Sequence, residues 1–250
     1  MTAILEAEAI SKSYGGIKAL NACSISFTDG AINALIGPNG SGKTTLFNIM
    51  TGYERADSGT VRLRGQDITT ATPDKIFRMG VGRSFQLTRV FPRLTVIENV
   101  HVAAQRQGLA AHLRRWTSHH ERRAAGDVLD FVGLTHLAHE PAGSLSYGQQ
   151  KLLEFALGIV ARPDLMLLDE PAGGVNPALL RHLAARIRAL NGDGVTFVIV
   201  EHDMEFVMGL AGNVVVMHQG ARLASGPPAE VRANPGVLDA YLGGHTEGSG

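Results

Sequence analysis

The chain has 250 residues, with 23 Lys and Arg against 23 Asp and Glu, so its formal net charge is zero and gives no electrostatic basis for bulk nucleic-acid binding. A hydrophobic content of 44% can build the core of one large α/β domain, or of a core domain carrying an inserted subdomain. Cys23 is the only cysteine, which excludes an intrachain disulfide and a cysteine metal cluster and fits a reducing compartment.

Met1–Glu8 lacks a basic start followed by a long apolar run, so it is not expected to be a secretory signal. No apolar stretch approaches the ~18 residues needed to span a bilayer, and membrane contact is expected to go through a partner. Short β-rich runs at Ile4–Ile10, Cys23–Phe27, Ala31–Ile36 and Val61–Leu63 predict hairpins and an antiparallel layer. Ala31–Ile36 runs into a Gly-rich loop, and Thr44–Met50 after it reads as a helix. Helical spacing dominates Val96–Val160, most plainly in Val96–Ala104 and Val128–Val132. Beyond Pro163, strand Leu165–Leu168, helix Ala178–Leu190, strand Val195–Val200 and helix Met204–Leu210 alternate as in parallel βαβ units. Val214–Met217 and Arg222–Ala224 flank Gln219-Gly220 as a hairpin, and Pro228 opens a short helix. His245–Gly250 is a Gly/Ser-rich tail that is expected to fray.

Gly37-Pro38-Asn39-Gly40-Ser41-Gly42-Lys43-Thr44 matches the phosphate-loop pattern in full, with its strand before and its helix after. Glycines there let backbone N–H groups approach phosphate oxygens without a Cβ in the way. The following helix turns its positive end to the same phosphates. Lys43 can reach the β- and γ-phosphates, and the Thr44 hydroxyl can ligate Mg²⁺. Leu165–Leu168 runs into Asp169-Glu170, which puts two carboxylates at the ligand-binding edge of an α/β sheet. Asp169 is placed to hold Mg²⁺ and Glu170 to polarise an attacking water as general base.

Three further segments share the chain with these. Leu145-Ser146-Tyr147-Gly148-Gln149-Gln150 opens a helix and, alone, reads as an ordinary N-cap. His202 follows the apolar strand Val195–Val200, and Gln86 ends Gly82-Arg83-Ser84-Phe85-Gln86. In this order they resemble the ABC ATPases over most of the chain. Leu145–Gln149 resembles that family's LSGGQ signature with Tyr147 in place of one glycine. His202 matches its switch histidine, Gln86 its Q-loop glutamine, and Tyr14 in Ser13-Tyr14-Gly15-Gly16 its adenine-stacking aromatic.

The resemblance implies a RecA-like P-loop α/β core, an antiparallel β-subdomain and an inserted helical subdomain. It divides the chain into 1–86 and 162–244 for the core with its β-subdomain, 87–161 for the helical insert, and 245–250 for the tail. It implies ATP and Mg²⁺ as cofactors. Lys43, Gln86, Glu170 and His202 would be catalytic. Thr44, Gln86 and Asp169 would serve the metal. Tyr14, the loop Gly37–Thr44, Thr45, and Ser146, Gly148 and Gln149 of an opposing subunit would bind nucleotide. The implied partners are a second ABC ATPase subunit, integral-membrane permeases and, indirectly, a periplasmic substrate-binding protein. The implied place is the cytoplasmic face of the inner membrane.

Phe91–Asn99, Asp169–Pro177 with Asn176 where most of the family carries Asp, and the ending around Pro228–Val231 and Ala240–Gly243 resemble the branched-chain amino acid importer branch. Urea, amide and lipopolysaccharide transport ATPases share several of these features, and a non-transport ABC ATPase is the other reading. Arg106–Arg123 looks like a basic insertion, read as a solvated helical face packed over Trp116, with lipid or permease contact as the alternative.

Overall fold

The computed structural model describes residues 2–83, 90–105 and 119–242. Gln86 and residues 106–118 of the basic segment lie outside them. Two sheets organise the rest. The first is antiparallel and contains β1 (Ala3–Tyr14), β2 (Ile17–Thr28), β4 (Ser58–Leu63) and β5 (Gln66–Asp67) in the order β2-β1-β4-β5. The second contains β3 (Ile32–Ile36), β6 (Val81–Arg83), β7 (Leu165–Asp169), β8 (Thr196–Val200), β9 (Asn213–His218) and β10 (Ala221–Gly226) in the order β10-β9-β3-β8-β7-β6. Its four pairings from β9 to β6 are parallel, and β10 closes one edge as an antiparallel hairpin partner of β9.

The parallel strands are apolar on both faces because both faces are covered. Ala34 and Ile36 of β3, Met166 and Leu168 of β7, Phe197 and Ile199 of β8, and Val214 and Val216 of β9 enter one core. Their neighbours Leu35, Leu165 and Leu167, Val198 and Val200, and Val215 and Met217 enter a second core on the other side. That alternation is the period-2 pleat of a strand, here with no polar face to spare. Helix α1 (Lys43–Met50) lies in the second core, where Leu46, Phe47, Ile49 and Met50 pack with Leu20, Ile25 and Phe27 of the antiparallel sheet. The helix that follows the phosphate loop is thus clamped between the two sheets.

The first core receives α3 (Val96–Gln105), α4 (His119–Val132) and α5 (Tyr147–Ile159), which pack on one another between β6 and β7 in the chain. It also receives Leu183, Ala184 and Ile187 of α6 (Pro177–Gly192) and Phe206, Val207 and Leu210 of α7 (Met204–Leu210). Two short helices, α8 (Pro228–Ala233) and α9 (Pro235–Leu242), close the same side through Val231 and Val237.

The chain departs from the sequence reading in length and in small elements. β1 and β2 are each 12 residues long, extending well past Ile4–Ile10 and Cys23–Phe27. Register shifts and the left-handed backbones of Ala9 and Ala22 break their apolar alternation, which hides the continuation. Helix α2 (Pro73–Arg78), β5, β6 and α9 were not read from the sequence either. Each is short; α2 buries only Ile76, and β6 is three residues long.

One buried polar residue joins the sheets. Asn33 of β3 is fully buried and donates to the carbonyls of Thr28 and Phe197 at 2.9 and 3.1 Å. Its Oδ1 accepts from the Thr28 amide at 2.9 Å and from Asn213 Nδ2 at 3.2 Å. Removing it leaves several buried polar groups unpaired, each costing about 1–3 kcal/mol. Asn33→Ala is expected to lower stability by about 3 kcal/mol. Urea unfolding should show a lower midpoint with an unchanged slope.

Candidate functional site

The phosphate loop is shaped by close backbone approach. A Cβ on Gly37 would lie 2.2 Å from the Met217 carbonyl oxygen and 2.8 Å from Ser41 Oγ. One on Gly42 would lie 2.5 Å from the Ala19 carbonyl oxygen. Gly42 also holds φ at 96° as the N-cap of α1, so both space and backbone angle demand glycine there. Gly40, with φ at 77°, sits at the exposed tip beside Asn39. The loop ends at the N-terminus of α1, whose first amides have no partner within the helix.

Lys43 is buried and folds back across the loop, donating to the carbonyls of Gly37 at 2.8 Å and Pro38 at 3.0 Å. Burial pushes its ammonium pKa down, and the carboxylates of Glu170 and Asp169 oppose that shift. Ser41 Oγ is buried with no hydrogen-bond partner among the described residues. A cradle that excludes Cβ atoms, a buried ammonium, an orphaned hydroxyl and a helix N-terminus together fit a polyphosphate. Thr44 is exposed in the first turn of α1, and Thr45 beside it is half-buried.

The acidic pair sits where the sequence puts it, at the C-terminal end of β7. Asp169 is buried, and that burial raises its carboxyl pKa; the Arg83 guanidinium pulls it down and the Glu170 charge pushes it up again. Glu170 follows with a left-handed backbone, φ 46°, a costly conformation for a residue with a side chain. Its amide donates to the Val200 carbonyl at 2.9 Å and its carbonyl accepts from the Gly173 amide at 3.2 Å. His202 Nδ1 lies 3.7 Å from Glu170 Oε1. The lysine, both carboxylates and the histidine therefore converge on one sheet edge.

Tyr14 stands exposed at the tip of the β1–β2 hairpin, and its hydroxyl donates to Glu54. Lys12 Nζ is 5.5 Å from the centre of the Tyr14 ring and 3.6 Å from Glu54. The ring is thus braced at its edge and open on a face.

Ser146, exposed, is the N-cap of α5 in a capping box: its Oγ accepts from the Gln149 amide at 3.4 Å, and Gln149 Oε1 accepts from the Ser146 amide at 2.9 Å. A Cβ on Gly148 would lie 2.6 Å from Leu179 Cδ2, so α5 starts tightly against α6. Among the described residues, no hydrogen bond of Ser146, Gly148 or Gln149 reaches residues 37–45. Ser146 and Tyr147 are exposed, so the start of the segment is open to solvent.

Two site residues escaped the sequence reading. Glu201, fully buried, accepts from the amides of Ala172 at 2.6 Å, His202 at 2.9 Å and Asp203 at 3.3 Å. It fastens the histidine loop to the turn after Glu170. The signal was present, since an acid at the end of an apolar strand must find donors. Arg83 of β6 lies 4.5 Å from the ring centres of both Phe47 and Tyr53. It donates to Thr51 Oγ1 at 2.5 Å and Asn48 Oδ1 at 2.8 Å. It thereby ties the strand leading toward Gln86 to the back of α1.

Comparison with known proteins gives this geometry a family. The ABC transporter profile matches residues 20–173, and residues 221–247 match that of the branched-chain amino acid ATP-binding cassette transporters. The chain is 41% identical over 249 residues to the high-affinity branched-chain amino acid transport ATP-binding protein BraF of Pseudomonas aeruginosa, covering 96% of this chain and 98% of that protein. It is 40% identical over 251 residues to LivG of Escherichia coli K12, a protein of the same description, again covering 96% and 98%. The crystal structure of the ADP conformation of an ABC transporter's ATP-binding cassette superposes with a TM-score of 0.87 at 34% identity, covering 97% of this chain and all of that one. The phosphate loop, the acidic strand end and this full-length similarity show that the chain belongs to the ATP-binding cassette family, as the ATP-hydrolysing subunit of an ABC transporter.

Proposed function

We propose that this subunit energises uptake of branched-chain or other hydrophobic amino acids through permease subunits at the cytoplasmic face of the inner membrane. The observation that carries the substrate is identity of 40–41% along nearly the whole chain to two branched-chain amino acid transport ATP-binding proteins, reinforced by the match at residues 221–247. A periplasmic binding protein would deliver the substrate. The permeases would dock beside Gln86 and the helical unit, 87–161, with 1–86 and 162–244 forming the catalytic unit and 245–250 a tail.

In this reading, Gly37–Thr45 cradle ATP and Tyr14 stacks on its adenine. Lys43 exchanges its two loop carbonyls for phosphate oxygens, and the charge-assisted bonds it gains offset the bonds to Gly37 and Pro38 that it gives up. Thr44, Asp169 and Gln86 would hold Mg²⁺, which when bound neutralises charge on the phosphates. Glu170 takes the proton of the attacking water, and His202 Nδ1, at 3.7 Å, lies beside it to steady the γ-phosphate and the water. Ser146, Gly148 and Gln149 complete the site of a second cassette, a role supported by the exposure of Ser146 at the helix start. Closure on ATP then shifts the population toward a dimer that pulls the permease helices together.

Glu170→Gln is expected to lower steady-state hydrolysis by about 100-fold or more while ATP binding is kept and an ATP-bound dimer accumulates. Phosphate release and size-exclusion chromatography with ATP check this, and undiminished hydrolysis rejects Glu170 as the base. In proteoliposomes holding the complete transporter, leucine uptake is expected to require ATP and to stop with Glu170→Gln. Uptake of urea or a short amide in place of leucine would replace the amino-acid reading.

A further inference from the structure

The signature segment differs from its family at Tyr147, and the structure shows where that side chain goes. It leaves the first turn of α5 and crosses to the loop after Glu170, where its hydroxyl donates to the Gly173 carbonyl at 3.1 Å. Its ring lies against Gly174: a Cβ there would be 3.0 Å from Tyr147 Cε1, and the backbone at Gly174 has φ 69°. Lys151, one turn on, places Nζ 5.8 Å from the ring centre. Half of the Tyr147 surface stays exposed, so the side chain is not held there by burial alone.

Gly173 is also the residue whose amide donates to the Glu170 carbonyl, at 3.2 Å. One residue, Gly173, therefore joins the Tyr147 hydroxyl to the backbone of Glu170. Glu170 holds a left-handed backbone that persists only if its surroundings over-determine it. Three anchors supply that. The Val200 carbonyl takes the Glu170 amide, Glu201 takes the Ala172 amide, and Tyr147 takes the far end of the same turn. Beyond the turn, Asn176 Oδ1 caps α6 by accepting from the Leu179 amide at 2.9 Å. The first two anchors and this cap belong to the sheet and to α6, whereas Tyr147 belongs to the helix that begins at Ser146.

We propose that Tyr147 is a positioning residue for Glu170, holding the turn that aims its carboxylate and tying that aim to the seating of the signature helix. A Gly at 147, as in the family pattern, leaves this tie unmade. Because Ser146 would meet the nucleotide bound by the other cassette, the tie lets occupancy of one site be felt at the base of the other. This rests on the reading of Glu170 as the base.

The test is a double-mutant cycle with Tyr147→Phe, which keeps the ring and removes only the hydroxyl, and Glu170→Gln. Tyr147→Phe is expected to lower kcat about fivefold, the size of one lost hydrogen bond, with KM for ATP unchanged and the thermal midpoint lowered by no more than about 2–4 °C. In the Glu170→Gln background the same change should lower the residual rate by less than about twofold, because its route runs through the missing base. ATP-driven dimerisation of Glu170→Gln should be unaffected by Tyr147→Phe. A Tyr147→Phe enzyme with wild-type kcat overturns the proposal, as does one whose defect lies wholly in KM or in dimerisation, or one whose fivefold loss persists in the Glu170→Gln background. Wild-type hydrolysis by Glu170→Gln alone overturns the reading of the base instead, which separates the two failures.

Discussion

Everything at the nucleotide edge depends on how closely three backbone segments meet. Gly37 and Gly42 of the phosphate loop and Gly220 of the β9–β10 turn surround the carbonyls of Ala19 and Met217, and a Cβ on any of the three would stand 2.2–2.7 Å from one of them. The Gly220 amide donates to the Ser41 carbonyl at 3.1 Å, and the Gly220 carbonyl accepts from the Asn21 amide at 2.9 Å. β2 and the β9–β10 turn therefore mould the loop from outside. The antiparallel sheet is part of the phosphate site by construction, and the same β1–β2 hairpin that supplies Ala19 carries Tyr14 at its tip.

A site built this way must also bury charge, and the compensation is visible group by group. Lys43 loses solvent, and the charges of Glu170 and Asp169 offset part of that loss. Its two carbonyl contacts keep it solvated by the loop itself. Asp169 is balanced chiefly by Arg83, which also stacks between two aromatic rings and so is fixed in orientation as well as in charge. Glu201 needs no cation, because three amides converge on it. The buried charges thus act as rivets between loops that would otherwise be held only by their own short turns.

What could be read from the residues alone follows this division. The parallel strands were legible because burial on both faces leaves unbroken apolar runs such as Leu165–Leu168. The glycines, Lys43 and the acidic pair were legible because their chemistry fixes their spacing. Gln219-Gly220 was legible as a hairpin, and both residues have the positive φ of a tight turn, but its grip on the phosphate loop was not. Contacts between residues distant in sequence carry no periodic signal. Arg83 reaches Asn48 across 35 positions and Tyr147 reaches Gly173 across 26, so neither could be seen before the fold brought them together. The outer parts of β1 and β2 were lost for a different reason, since register shifts and the left-handed backbones of Ala9 and Ala22 break their apolar alternation.

The capping box of α5 bears on how readily a second cassette could be engaged. An N-cap hydroxyl that closes on its N3 amide at ordinary distance can still donate its proton to a phosphate, but the cap bond limits how far its oxygen can turn. Here the Ser146 Oγ to Gln149 amide distance is 3.4 Å, long for such a bond, while the reciprocal Gln149 side-chain bond to the Ser146 amide is 2.9 Å. The helix start is therefore held mostly by the glutamine, and the serine hydroxyl is only loosely committed. Under the proposed closure, turning that hydroxyl toward an incoming γ-phosphate costs less than the about 1 kcal/mol of a typical net hydrogen bond, and the helix does not unravel when it turns. Tyr147, rooted one residue further on, then stays seated on Gly173 while Ser146 is drawn across. This is the condition under which contact at one nucleotide can reach Glu170 beside the other.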